Sequence, residues 1–364
     1  MKICLVVGAR PNFVKVAPIL AEMRHYPELE LKLVHTGQHY DRSMSGSFFK
    51  DLEIPDPEIN LNVGSNPAAI QTAEIMLRLS RALADDRPDV LLVVGDVNST
   101  LAAALVGAKM EIPVAHVEAG LRSFDRAMPE EINRILTDAV SDYCFTTEPS
   151  ANDNLMREGV AAERIHYVGN VMIDALLRCR ERAGATSIIL GTLGVRSREF
   201  AVLTLHRPSN VDDSQALTRT LSAIACIRQD LPVIFPIHPR TKERLDALPG
   251  CVHRVAGLTL TEPLSYLDFV QLMTHAVCVL TDSGGIQEET TALGTPCLTL
   301  RTTTERPITV TQGTNRIVGT EPERIAAAWT EIRRGEWPRG RRPELWDGRS
   351  AERIVKVLIG HGSH

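Results

Sequence analysis

The 364 residues contain no C-x-x-C pair and no histidine-rich stretch with metal-ligand spacing. The seven cysteines (Cys4, Cys144, Cys179, Cys226, Cys251, Cys278, Cys297) are scattered, and most fall in stretches that read as strands or helices. Neither a disulfide framework nor a zinc site is expected, and the scatter suits a reducing compartment. No apolar run is long enough to span a bilayer, and Met1-Lys2 leads straight into ICLVVG with no apolar leader and cleavage site. A cytoplasmic chain with no membrane partner is the expectation. An excess of one charge is missing too. The formal net charge is -5 with both signs interspersed, which leaves no footprint for nucleic acid or an anionic membrane surface. The segment Gly8–Lys15 after the first strand, GARPNFVK, is neither G-x-G-x-x-G nor a run ending in G-K-[ST]. A dinucleotide fingerprint and a P-loop are thereby excluded.

What remains is a globular chain, 44% hydrophobic, whose length suits two domains of roughly 150–200 residues each. Strand and helix patterns alternate along it. Ile3–Gly8, Leu31–Thr36, Val90–Val94, Val114–Val117, Tyr143–Thr146 and Ile165–Val168 read as strands, with helices between them. Ser65-Asn66-Pro67 is expected to cap a long amphipathic helix ending near Ala84, with the proline in its first turn. The segment 184–199 breaks the rhythm. A second series follows with strands Ala201–Leu205, Val233–Ile237, Val277–Leu280 and Cys297–Leu300, a helix around 214–229 and further helices. Repeated βα units predict a parallel sheet with helices on both faces, and two series predict two doubly wound domains. The expected division is 1–170 for the first domain, 171–200 for a connecting helix and linker, and 201–345 for the second domain. The last stretch, 346–364, holds a helix over Ala351–Ile359.

Polar residues gather where strands end. Gly95-Asp96 follows Val90–Val94, and Glu118 follows Val114–Val117. Pro129-Glu130-Glu131 opens a helix, His206-Arg207 follows Ala201–Leu205, and His238-Pro239-Arg240 follows Val233–Ile237. Ligands of doubly wound sheets bind outside the carboxyl ends of strands. If the two domains face each other, these residues line one cleft. In Ala276–Gly294, AVCVLTDSGGIQEETTALG, an apolar strand stops at Thr281-Asp282-Ser283, and Gly284-Gly285 opens a helix. Two glycines and the unpaired N–H groups of a helix start suit a phosphate, and Glu288 or Glu289 is then placed for a ribose. A tight turn holding no ligand fits the same residues.

As an ordered set, GARPNFVKVAPIL, TGQHYD, GDVNST, HVEAGLRS, MPEEINRILTD, VGNVMIDAL, LHRPSN, LTDSGGIQEE and TTERP closely resemble the non-hydrolysing UDP-N-acetylglucosamine 2-epimerases. The resemblance implies an α/β protein of two Rossmann-like domains facing a cleft, the glycosyltransferase-B fold, with the last helix packing back on the first domain. It implies interconversion of UDP-N-acetylglucosamine and UDP-N-acetylmannosamine by elimination and re-addition of UDP, without nicotinamide or a catalytic metal, and a homodimer. Carried over residue by residue, Asp96, Glu118 and Glu130 become the acid/base candidates and His206 the fourth essential group. Glu131 is the structural neighbour. Arg10, Lys15 and Arg306 become ligand-binding cations, Ser283, Gly284 and Gly285 the phosphate turn, Glu289 the ribose contact and Phe269 the uracil contact. His238 joins the ligand contacts. GDVNST and HRPSN differ from the commonest forms of their motifs, so a related UDP-acetamido sugar, such as a diacetamido uronic acid, stays open. So do a hydrolysing epimerase and a glycosyltransferase of the same fold. Relatives that bind a second, activating UDP-N-acetylglucosamine use two glutamines, an arginine and a histidine. Here Gln38 and His238 are kept, but Asp41 stands at the second glutamine position and Ile70 at the arginine position.

Overall fold

In a computed structural model, which describes residues 1–37, 49–248 and 257–361, the chain divides into two units. The first comprises Met1–Ala175 together with Glu344–His364, and the second Leu176–Pro343. Gln38, Asp41 and Cys251 lie outside the described residues, as do the side chains of Arg10 and Arg240.

Short β-branched, uncharged segments become the buried strands of the first unit. Val90–Val94 is buried along its whole length, as a strand covered on both faces must be. In chain order the strands are β1 (Lys2–Val7), β2 (Glu30–His35), β3 (Ile59–Asn60), β4 (Val90–Val94), β5 (Val114–Ala119), β6 (Tyr143–Thr146) and β7 (Ile165–Tyr167). They form one parallel sheet in the order β3-β2-β1-β4-β5-β6-β7. The order reverses between β1 and β4, the crevice where a doubly wound sheet receives ligands. The helices used below are α1 (Arg10–Met23), α2 (Ala68–Ala84), α3 (Asn98–Lys109), α4 (Pro129–Val140), α5 (Pro149–Arg157) and α6 (Val171–Thr186). Helix α2 buries Gln71, Ile75, Leu79 and Leu83, a stripe at four-residue spacing that seats it on the sheet. Pro67 does not enter its first turn. It is the residue before the helix, with φ −51 and ψ 142, and no side chain caps α2.

The terminal segment belongs to the first unit. The fully buried Trp346 donates its indole N–H to the Thr147 carbonyl at 2.8 Å, and the Ala351 N–H reaches Asp174 at 2.7 Å. Ala351 lies in the first turn of helix α13 (Ser350–His361). The boundary between units falls inside α6, after Ala175, and the stretch 184–199 holds one helical turn, Ile189–Thr192.

The second unit repeats the plan with β8 (Ala201–Thr204), β9 (Val233–Pro236), β10 (Leu258–Thr261), β11 (Val279–Thr281), β12 (Cys297–Thr299) and β13 (Asn315–Ile317). Its parallel order is β10-β9-β8-β11-β12-β13, reversing between β8 and β11. Its helices are α7 (Ser214–Ala223), α8 (Ala225–Asp230), α9 (Pro239–Asp246), α10 (Tyr266–His275), α11 (Gly284–Leu293) and α12 (Pro322–Arg333). The single helix expected over 214–229 is two, because Ile224 leaves the helical region at φ −85, ψ 2. The Ile227 N–H then bonds Ile224 in a tightened turn, and both isoleucines stay fully buried. None of the six described cysteines is in a disulfide, and no described helix is long and apolar enough to cross a membrane.

Candidate active site

In the first unit the turns after β1, β4 and β5 are tied to one another. Asn12, buried in the first turn of α1, accepts the N–H groups of Gly8 and Ala9 at 3.0 and 3.1 Å. Its amide donates to the Val94 carbonyl at 3.0 Å, across the point where the strand order reverses. One turn along α1, the Lys15 ammonium forms a buried ion pair and hydrogen bond with Glu118. Gly95 lies beneath them at φ +69, and a Cβ there would come within 2.7 Å of Lys15 Nζ. The positive φ favours glycine at this position, and a Cβ would also press on the ion-paired ammonium.

Glu118 itself has φ +75, in the left-handed region that a side chain with Cβ adopts at a cost. The register with β6 slips between Val117 and Ala119, so Glu118 sits on a β-bulge. Bulges at strand ends re-aim a side chain, and such strain concentrates at functional sites. Asp96 is about one-quarter exposed and accepts from Arg134 at 2.6 Å, while its own carbonyl accepts from Asn133 at 2.8 Å.

Helix α4 separates two adjacent glutamates by environment. Glu131 is buried and accepts the Ser123 N–H at 2.8 Å, the Ser123 hydroxyl at 2.9 Å, the Phe124 N–H at 2.9 Å and Arg134 at 2.8 Å. Burial pushes its carboxyl upward, but the Ser123 and Arg134 contacts outweigh burial and hold it below the usual range. Glu130 is half-buried, with no hydrogen-bond or ion-pair partner among the described residues.

In the second unit, β8 and β11 run side by side and their ends meet. His206 follows β8, and its Nδ1 lies 2.8 Å from Oδ1 of Asp282, which follows β11. Asp282 is fully buried and also accepts the N–H groups of His206 and Arg207 and the Asn210 amide, at 3.0–3.1 Å. Burial raises this carboxyl. The His206 ring and its fellow donors prevail and hold it below its ordinary range. The His206 side chain is 57% exposed, so Nδ1 faces the carboxylate while the ring stays accessible.

The glycine turn packs against charged side chains. A Cβ on Gly284 would lie 2.5 Å from Arg306 Nη1 and 2.6 Å from Glu305 Oε1, so a larger residue would have to displace the ends of these side chains. Arg306 pairs with Glu305 at 2.6 Å and with Glu288 at 2.9 Å, and Arg301 pairs with Glu305 at 2.9 Å. Burial raises Glu305, yet Arg306, Arg301 and Arg207 bring it down to about 2. The N–H groups at the helix start suit an anion. Ser283 is the residue before α11 and makes no capping bond with its side chain. Glu289 is buried and accepts from the Tyr266 hydroxyl at 2.6 Å. Tyr266 opens α10, the helix that carries the half-buried Phe269. His238 is exposed after β9. No described group of three or more His, Cys, Asp and Glu could hold a metal ion.

Asn12, Arg134, Asp282, Asn210 and Glu305 were not singled out as site residues from the sequence. Asp282 carried the clearest signal, an acid at a strand end beside a glycine turn.

A family model for UDP-N-acetylglucosamine 2-epimerase matches residues 21–359. The chain belongs to the UDP-N-acetylglucosamine 2-epimerase family, a family of isomerases. It is 41% identical over 364 residues to the UDP-N-acetylglucosamine 2-epimerase of Methanocaldococcus jannaschii, covering 98% of this chain and 99% of that one. The crystal structure of the Methanocaldococcus jannaschii UDP-GlcNAc 2-epimerase in complex with UDP-GlcNAc and UDP superposes with a TM-score of 0.91 at 40% identity. That match covers 99% of this chain and 100% of the other. A Pseudomonas aeruginosa relative, UDP-2,3-diacetamido-2,3-dideoxy-D-glucuronate 2-epimerase, is 40% identical over 333 residues, 89% of this chain and 90% of its own. The two-sheet α/β architecture expected from the sequence is the one observed.

Proposed function

We propose that the protein interconverts UDP-N-acetylglucosamine and UDP-N-acetylmannosamine without hydrolysis, by eliminating UDP to 2-acetamidoglucal and adding it back. The observation that carries this reading is Glu118, a carboxylate held strained on a bulge beside Lys15, with Asp96 ending the adjacent strand. The proton on carbon 2 is not next to a carbonyl, so direct removal would leave an unstabilised carbanion. Elimination avoids it. A base takes the carbon-2 proton, the carbon 1–oxygen bond breaks, and UDP departs with the electron pair. On return, UDP re-forms that bond and an acid delivers a proton to carbon 2 from the opposite face. Two faces need more than one acid/base group. Asp96, Glu118 and Glu130 fill these roles, and His206 steadies the charge that builds on the leaving diphosphate. Lys15, Arg10 and Arg306 bind the ligand's negative charge, with Ser283, Gly284 and Gly285 at the phosphates. Glu289 meets the ribose, Phe269 the uracil, and His238 the ligand nearby.

Product analysis by NMR separates this reading from its rivals. A second nucleotide sugar marks an epimerase, free sugar marks hydrolysis, and an unchanged substrate without an acceptor marks a transferase. Product made in heavy water should carry deuterium at carbon 2, and complete retention of the original hydrogen would rule out elimination. The Pseudomonas aeruginosa relative favours one further substrate, the diacetamido uronic acid, which belongs in the same assay.

An activator requirement is not expected. Ile70 is 54% exposed where an arginine would donate to a second diphosphate, and Asp41 places a like charge in the same group of positions. Pure UDP-N-acetylmannosamine should therefore react from the first moment. A lag abolished by a trace of UDP-N-acetylglucosamine would show an intact activator site.

A further inference from the structure

His116 lies in β5, two residues before Glu118, and is completely buried. Both ring nitrogens face acceptors. Nδ1 is 2.6 Å from Asp138 Oδ1, and Nε2 is 2.8 Å from the Gly95 carbonyl oxygen. A carbonyl can only accept, so Nε2 carries a proton. Asp138, on α4, has its second oxygen occupied by two donors, the Gly120 N–H at 3.0 Å and Arg122 at 2.7 Å. Two donors on Oδ2 favour the carboxylate, and an imidazole is ordinarily the stronger base of the two, so the shared proton sits on Nδ1. Burial raises the Asp138 carboxyl, but His116 and Arg122 together hold it low.

The charges then close among themselves. His116 and Arg122 are cations, and Asp138 and Glu158 are anions, with Glu158 accepting two bonds from Arg122 at 2.8 and 2.6 Å. Cys144 stands opposite His116 on β6, and burial above all pushes its thiol up to about 12, so it adds no charge.

This pair fastens both turns that carry candidate acid/base groups. Gly95 immediately precedes Asp96, and its carbonyl is held by Nε2. Gly120, two residues after Glu118, is held through its N–H by Asp138 and through its carbonyl by Asn154 at 2.9 Å. Gly95, Glu118 and Gly120 all have positive φ, and a strained Glu118 persists only where its surroundings over-determine it. We propose that His116 is a positioning residue whose ring donates from both nitrogens, to the Gly95 carbonyl and to Asp138, and so sets the placement of Asp96 and Glu118. The positioning half rests on the function proposed above; the proton count does not.

Ring nitrogen spectra of the 15N-labelled full-length protein test the first half. His116→Gln provides the assignment, or Cys144→Ser through its neighbouring shift if the first variant does not fold. Both ring nitrogens of His116 should be protonated in the folded protein, as their two acceptors require. A ring with one bare nitrogen in the folded protein would overturn the proposal. For the second half, Asp138→Asn should lower kcat by about tenfold to 100-fold while KM changes by less than about threefold, the pattern of displaced chemistry rather than lost binding. Unchanged kcat in a folded Asp138→Asn variant would refute positioning. A wild-type protein without epimerase activity would sink the assigned function and the positioning half with it, while leaving the imidazolium intact.

Discussion

Glu118→Gln should lower turnover by roughly 100-fold or more, the usual scale for an acid/base group, and should also cost the fold about 3–5 kcal/mol. The two losses have different causes. The first follows from removing a proton acceptor at the reacting carbon. The second follows from Lys15, whose side chain is 5% exposed and would lose the partner of its buried charge. Removing both charges, in Lys15→Met with Glu118→Gln, should recover much of the stability without restoring turnover, because well-packed apolar replacements of buried ion pairs are often neutral. Calorimetry reads the stability, and turnover is taken at a temperature where each variant is folded. Turnover within about tenfold of wild type in the folded Glu118→Gln protein would remove Glu118 from the chemistry.

The neighbouring glutamates of α4 should respond in opposite ways. Glu130 has no partner among the described residues, so Glu130→Gln should leave stability nearly unchanged, within about 0.5 kcal/mol. Its turnover should still fall by roughly 100-fold. Glu131→Gln leaves one acceptor oxygen for Ser123, Phe124 and Arg134, turns an N–H toward the other donors and removes Arg134's buried countercharge, so it should lose about 2–4 kcal/mol with a much milder effect on turnover. If Glu131 is the essential member and Glu130 is silent, the roles on this helix are reversed.

How much could be read without coordinates depended on the distance over which an interaction acts. The strands β1 and β4 were legible because burial on both faces writes itself into adjacent residues as an apolar, largely β-branched run. The strands β3, β10 and β13 were not. They have two, four and three residues and half-exposed positions, too short and too mixed for either period to show. Asp96, Glu118 and His206 were visible as polar residues at strand ends. The residues that hold them were hidden, since Asn12 acts on a carbonyl 82 positions away and Asp282 on an N–H 76 positions away. Such pairings are set by strand order, which no local pattern contains. The neighbours of Gly284 were hidden for the same reason, since Glu305 and Arg306, whose side chains a Cβ there would meet, follow β12.

Asp282→Asn should reduce turnover by about 100-fold to 10,000-fold, even where the variant folds. The carboxylate accepts from His206 Nδ1, which keeps the proton on that nitrogen and leaves Nε2 to meet the ligand. An amide can offer Nδ1 an N–H instead, which favours the opposite tautomer and turns the wrong lone pair toward the ligand. His206 cannot then act as a cation on the departing diphosphate without first protonating beside a neutral group. The fold suffers as well, because the backbone N–H groups of His206 and Arg207 and the Asn210 amide all point at this buried side chain. The carboxyl is held below its ordinary range in the folded protein, so its contribution to stability is fully present above the unfolded value of about 3.9. That contribution is lost as pH falls through the depressed folded value. Asp282→Asn should therefore flatten the acid limb of stability against pH below about pH 4, and shift or abolish any limb of the turnover profile that reports His206. Circular dichroism melts from pH 2 to pH 7 and turnover from pH 5 to pH 9 read the two effects separately (windows chosen about the ordinary carboxylate and imidazole ranges). A variant that keeps the wild-type pH profile for turnover would show that His206 does not depend on Asp282 for its proton.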